Sequence, residues 1–110
     1  MKDHTITELT SIVKDSFGTY DAQGTTHWTW QTAAQDLQYQ MGSLTKIILQ
    51  MTNYRWADGK DKDTLMAEFS DELSDILAEV LYIASELNID MNEAMAAMVK
   101  SDQKKVSERT

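Results

Sequence analysis

Trp30-Gln-Thr-Ala-Ala-Gln-Asp-Leu-Gln-Tyr-Gln-Met-Gly-Ser-Leu-Thr-Lys-Ile-Ile-Leu-Gln-Met51 is the stretch on which the fold turns. Its Trp30, Ala34, Leu37, Met41, Leu44, Ile48 and Met51 follow one another at intervals of 4, 3, 4, 3, 4 and 3 residues. A helix brings every third and fourth residue onto one side, so this is an unbroken apolar stripe, and it predicts one long helix over residues 29–56. Gly42 inside it costs about 1 kcal/mol relative to alanine and leaves room for a close neighbour. At 1.5 Å per residue such a helix is about 40 Å long. A chain of 110 residues covers that length poorly. Pairing of identical subunits is expected to bury the remainder, as a dimer or a dimer of dimers.

Outward from this helix the chain is punctuated clearly. Residues 57–63 form a polar stretch with Gly59, and Asp63 or Thr64 is a suitable N-cap for a helix over residues 65–87. Phe69, Leu73, Ile76, Leu77, Val80, Leu81, Ala84 and Leu87 line that helix. Asn88-Ile-Asp90 is a short break. Asp90 and Glu93 resemble a capping box at the start of a last helix, with Met91, Ala94, Met95 and Met98 along one side and fraying expected after Lys105. Ile6, Leu9, Ile12 and Val13 mark a short first helix ending near Phe17-Gly18, and residues 18–28 are expected to be an ordered loop. There is no proline, and no alternating Val/Ile/Thr run that would make a strand. The expected fold is therefore all-α: a single domain over residues 1–110, a bundle of about four helices with two long central ones.

Composition excludes several functions. Without cysteine there is neither a disulfide nor a cysteine–zinc site. The balance of 18 acids against 10 bases, a net charge of −8, argues against capture of a nucleic-acid polymer or an anionic membrane. No apolar run approaches the ~20 residues of a membrane span, and MKDHTITELT carries no signal-peptide core, so a cytoplasmic chain is expected. His4 and His27 stand apart from other ligand types, and no Glu-x-x-His pair of the di-iron bundles occurs.

The acids are unevenly placed. Between Thr64 and Asp90 lie seven (Glu68, Asp71, Glu72, Asp75, Glu79, Glu86 and Asp90) with no Lys or Arg among them. Glu68, Glu72, Asp75 and Glu79, spaced 4, 3 and 4, form a carboxylate stripe. Like charges one turn apart repel by a few tenths of a kcal/mol per pair, so a divalent cation or a partner's bases are expected to offset them. Mg²⁺ takes hard oxygen ligands, and Glu72 and Asp75, three residues apart, can point at one ion; a solvated acidic face is the plainer alternative. Lys100 and Lys104, one turn apart, can hold phosphate oxygens, although cations at a helix C-terminus also serve its dipole. Trp28, Trp30, Tyr54 and Trp56 stand at the two ends of the long helix. Trp30 belongs to the apolar stripe, while Trp28 is open to stacking on a base.

Gln40-Met-Gly-Ser-Leu-Thr-Lys46, Glu68-Phe-Ser-Asp-Glu-Leu-Ser-Asp-Ile-Leu77 and Ile83-Ala-Ser-Glu-Leu-Asn-Ile-Asp90 together resemble the MazG-like nucleotide pyrophosphohydrolases over residues 28–109. That resemblance implies an all-α protein, dimeric or tetrameric, that hydrolyses a (d)NTP to the monophosphate and pyrophosphate with Mg²⁺ or Mn²⁺. The family's metal site joins a Glu-x-x-Glu on one helix to a Glu-x-x-Asp on the next. The second half falls on Glu72 and Asp75, which implies metal-ligating and catalytic roles for them, with Glu68 or Glu79 adding a carboxylate. The first half falls on Gln40-Met-Gly-Ser43, where neither end residue is anionic. Gln40 and Ser43 are then expected on the substrate side, with Lys100, Lys104 and Trp28. Two functions follow from the resemblance: a house-cleaning pyrophosphohydrolase, or a catalytically impaired relative that binds a nucleotide or a protein as a helical dimer. A third, an acidic adaptor docking on a basic partner, rests on charge asymmetry alone.

Overall fold

The computed structural model describes residues 3–22 and 28–109. Among them the regular structure is four helices, α1 (Ile6–Ala22), α2 (Trp30–Met51), α3 (Lys62–Glu86) and α4 (Met91–Arg109), with no strand. The chain is all-α, as its sequence predicts, and α2 and α3 are the two long helices. Among the described residues no helix is long and apolar enough to cross a membrane.

Caps set the boundaries. Thr5 and Glu8 exchange side-chain-to-backbone hydrogen bonds of 3.0 and 3.1 Å, a capping box that opens α1. The Thr29 hydroxyl accepts from the Thr32 N–H, and Asp61 accepts from the Thr64 N–H at 2.8 Å, so α3 is capped earlier than the Asp63 or Thr64 expected. Helix α2 stops at Met51, short of Trp56, because Asn53 takes the left-handed conformation with φ 65°. The Tyr54 N–H then donates to the Leu49 carbonyl at 2.9 Å and the Asn53 N–H to that of Gln50 at 3.4 Å, a Schellman motif. Helix α3 ends identically: Asn88 has φ 55°, the Ile89 N–H donates to Ala84 at 2.9 Å, and the Asn88 N–H donates to Ser85 at 3.3 Å. Asparagine enters this conformation more readily than other non-glycine residues, so it halts a helix that an apolar stripe alone would extend. Helix α1 runs past Phe17-Gly18 to Ala22, which makes residues 18–22 of the expected loop helical; residues 23–27 lie outside the described residues. Helix α4 stays helical through Arg109, where fraying after Lys105 was expected.

Helices α2 and α3 form an antiparallel hairpin, and buried Gln50 ties down its connection by donating from Nε2 to the Trp56 carbonyl at 3.2 Å. Helix α1 packs antiparallel to the C-terminal half of α3. There the Phe17 and Tyr82 rings lie 4.4 Å apart, and the Tyr82 hydroxyl donates to the Trp28 carbonyl at 2.7 Å. The buried residues of α2 are Ala33, Leu44, Ile47 and Gln50, while Trp30, Met41 and Ile48 of the apolar stripe are exposed. The helix is thus rolled so that the flank carrying Asp36, Gln40 and Ser43 turns toward α3. On α3, the stripe Leu73, Leu77, Leu81 and Ala84 is covered at one end only. Leu81 and Ala84 are 4% and 3% exposed, Leu73 and Leu77 46% and 51%. Helix α4 buries no residue, and the radius of gyration, 17.3 Å, exceeds the about 13 Å of a compact chain of this length.

If Asn88 sets the turn into α4, Asn88→Val should cost about 1–2 kcal/mol through the left-handed backbone. Asn88→Gly should be neutral or slightly stabilising. Urea midpoints of the two variants decide; equal losses would show that the asparagine side chain matters and its backbone conformation does not.

Candidate functional site

The hairpin and α1 enclose an open cleft of about 460 Å³. Asp36 and Gln40 reach it from α2, Asp75, Ala78 and Glu79 from α3, and Phe17 of α1 and Trp28 close one wall. Residues 36 and 40 are one turn apart on α2, and 75 and 79 one turn apart on α3, so each helix presents an i, i+4 pair to the same space. Phe17 and Trp28 meet edge to face, centroids 5.7 Å apart, which leaves aromatic surface beside the acids. Among the described residues no Lys or Arg lines the cleft.

Glu79 dominates its electrostatics. The residue is 4% exposed, and its Oε2 has no hydrogen-bond partner. Burial, then the hydrogen bond and the charge of Asp36, raise its pKa to about 8; the Gln40 amide, a neutral donor, works in the opposite direction, and Asp75 adds a further upward push. A carboxyl that keeps its proton can donate it to the Asp36 carboxylate, which accounts for the unpartnered oxygen. Gln40 Nε2 also donates to Asp36 Oδ2 at 3.2 Å, so Asp36 is held between an amide and an acid. Burial first, and then Asp71 and Asp36, raise the pKa of the more open Asp75. Burial, followed by Asp75 and Asp71, raises that of Glu72, whose Oε2 is buried without a partner. Three acids of one helix thus lean toward their protonated forms.

Of the residues read from the sequence, Gln40, Asp75, Glu79 and Trp28 come together in the cleft. Glu72 and Ser43 do not line it; they lie two turns from Glu79 and Asp36 along the antiparallel pair, at equivalent positions of the interface. Glu68 is engaged elsewhere: Lys60 Nζ lies 2.8 and 3.1 Å from its two oxygens, so this member of the stripe is compensated by a base from the connection. Lys100 and Lys104 ride on exposed α4 away from the cleft, Lys104 lying 3.9 Å from Glu108. Sequence reasoning missed Asp36 and Phe17. Asp36 carried a readable signal, because it is the one acid in α2 and stands four residues before Gln40 and seven before Ser43.

The donor set, carboxylates and an amide with buried unpartnered oxygens, is that of a hard divalent cation. As the side chains stand, no group of three or more His, Asp or Glu among the described residues is close enough to hold one. Two carboxyls sharing a proton occupy the place where a cation would bring their charges together. Comparison of the chain with protein-family models, curated proteins and solved structures finds no match.

Glu79 keeps its proton up to about pH 8 in the folded chain but releases it near 4.5 when unfolded. Between these values the folded state binds more protons, so this contribution is full below pH ~4.5 and is lost as pH rises toward 8. The raised Glu72 and Asp75 act in the same sense. The melting temperature without metal should therefore be higher at about pH 5.5 than at about pH 8.5. Glu79→Gln, an isostere of the protonated acid, should flatten this dependence and raise the alkaline value. A melting temperature that climbs with pH over this range would contradict the assignment.

Proposed function

We propose that this chain is a Mg²⁺-dependent nucleoside triphosphate pyrophosphohydrolase of the MazG-like kind, a cytoplasmic self-associating enzyme that splits a (d)NTP into the monophosphate and pyrophosphate. The observation that carries the reading is the cleft itself: acids from two helices on one side, two aromatic rings on the other, and no base between them. A triphosphate is polyanionic, so a cleft of this charge accepts it only with divalent cations between the two. The aromatic wall of Phe17 and Trp28 suits a nucleobase.

Asp36, Asp75 and Glu79, with Glu72 behind them, are the residues that would hold Mg²⁺ or Mn²⁺. When bound, the ion neutralises polyphosphate charge and lowers the pKa of an attacking water. Asp36 and Glu79 would have to give up their shared proton to serve as ligands. Asp75, the most open of the acids, would be the one placed to accept a proton from an attacking water, and Gln40 holds Asp36 in place. The position of Asp36 one turn ahead of Gln40 supplies the anion on the first helix that Gln40 and Ser43 lack. A binding-only relative remains the second reading, favoured by those two neutral residues and by the absence of a ready three-carboxylate group among the described residues.

Pyrophosphate release should appear with at least one (d)NTP in Mg²⁺ or Mn²⁺ and vanish in EDTA. Asp36→Asn and Asp75→Asn should each lower the rate about 100-fold or more, with the helical circular-dichroism signal intact. No release from any (d)NTP, together with no metal-induced thermal shift, would leave the binding-only reading in place.

A further inference from the structure

The aromatic wall of the cleft is assembled from three separate parts of the chain. Phe17 comes from α1, Trp28 from the segment leading into α2, and buried Tyr82 from α3. Phe17 meets both of the other rings, lying 4.4 Å from Tyr82 at an interplanar angle of 30° and 5.7 Å from Trp28 at 73°. The Tyr82 hydroxyl closes the circuit by donating to the Trp28 carbonyl at 2.7 Å, across 54 positions of sequence. Phe17 and Trp28 line the cleft, and Tyr82 does not.

The bond falls where the backbone needs an anchor. Trp28 precedes the N-cap Thr29, and the ladder of α2 begins with the Thr29 carbonyl, which accepts from the Ala33 N–H at 3.0 Å. The Trp28 carbonyl therefore stands outside the helical ladder, and Tyr82 supplies a donor for it. A buried phenol is costly without an acceptor, so the pair orients both groups. The same tyrosine is tied to the acid side of the cleft. Asp75, Glu79 and Tyr82 follow one another at intervals of 4 and 3 residues, which places all three on one side of α3 within two turns.

One helix side thus carries two of the acids and the residue that holds the aromatic wall. We propose that Tyr82 is the positioning residue that sets Phe17 and Trp28 against Asp75 and Glu79, so that the cleft prefers an aromatic base joined to a polyphosphate over a polyphosphate alone. This role rests on the nucleotide site proposed above. Tyr82 acts through its neighbours, on Phe17 by ring contact and on Trp28 by the hydrogen bond to its carbonyl. Holding the wall in place before a ligand arrives spares the ligand the cost of ordering it.

Tyr82→Phe keeps the ring against Phe17 and removes only the hydroxyl. Its binding is measured by calorimetric titration, in Mg²⁺, with α,β-methylene analogues of the common nucleoside triphosphates, which resist the proposed cleavage, and with tripolyphosphate, which has no base. The ratio of nucleotide to tripolyphosphate affinity should fall about three- to tenfold from the native value, the effect of losing one well-oriented hydrogen bond, with helical circular dichroism kept. Trp28→Ala, which cuts back the wall itself, should lower the same ratio at least as far. A merely structural Tyr82 would weaken both ligands alike and leave the ratio at its native value, which would overturn the proposal. So would a fall in one of the two variants without the other, because Tyr82 and Trp28 would then not act together. A native chain that binds the nucleotide analogues no better than tripolyphosphate would also overturn it, because the wall would then favour no base. Pyrophosphate release from the natural (d)NTPs is read separately: a chain that binds the analogues but releases none loses the hydrolase assignment, while the affinity ratio still decides the role of Tyr82.

Discussion

Glu79 facing Asp36 across the α2–α3 hairpin is the constraint on which the rest of the structure depends. Burying one carboxyl beside another is unfavourable unless a proton or a cation stands between them. Glu79 meets that condition by keeping its proton, with Asp36 as acceptor and Gln40 steadying Asp36 from one turn away. The polar flank of α2 has to face α3 for this to happen. Helix α2 is accordingly rolled away from its most continuous apolar stripe, and Trp30, Met41 and Ile48 remain outside. A polar site within the chain and the apolar side chains left exposed on α2 thus have the same cause.

The ends of the helices carry this arrangement outward. Two asparagines in left-handed conformation stop α2 and α3 with matching Schellman motifs. The first keeps the hairpin connection short enough for buried Gln50 to fasten it and for Lys60 to reach Glu68. The second aims α4 away from the hairpin. Helix α1 fills only half of the groove behind α3, but at that point it brings Phe17 against Trp28 and Tyr82, which gives the acid cleft its aromatic wall. Stability and site draw on the same few residues, so substitutions on α3 are expected to couple unless they are well separated.

Much of this was legible in the chain. Uninterrupted 3–4 spacing and the absence of proline foretold four helices without strands, and the carboxylate run on α3 marked the side of that helix where Asp75 and Glu79 sit. Other features were not legible, for identifiable reasons. Spacing placed Glu68, Glu72, Asp75 and Glu79 on one stripe, but a stripe along a helix this long meets different neighbours at each turn: Lys60 at Glu68, the α2 interface at Glu72, the cleft at Asp75 and Glu79. Asp36 drew no notice because its weight comes from a residue 43 positions away in the chain, Glu79. Lys100 and Lys104 were read by their charge, whereas α4 places them behind its apolar face and beyond the cleft of its own chain.

The sequence by itself determined what depends on near neighbours: helix positions from periodicity, helix starts from the caps Thr29 and Asp61, helix stops from Asn53 and Asn88, and an acidic α3 from composition. Those are interactions within three to five residues, and they are written in order along the chain. Only the tertiary structure decided which side of each helix was buried and which acid lost its water. Both are set by contacts between helices, and they depend on rotations of about one residue that periodicity alone leaves free. In α2 the inward side buries Ala33, Leu44 and Ile47 and at the same time brings an acceptor, Asp36, and an amide, Gln40, to Glu79.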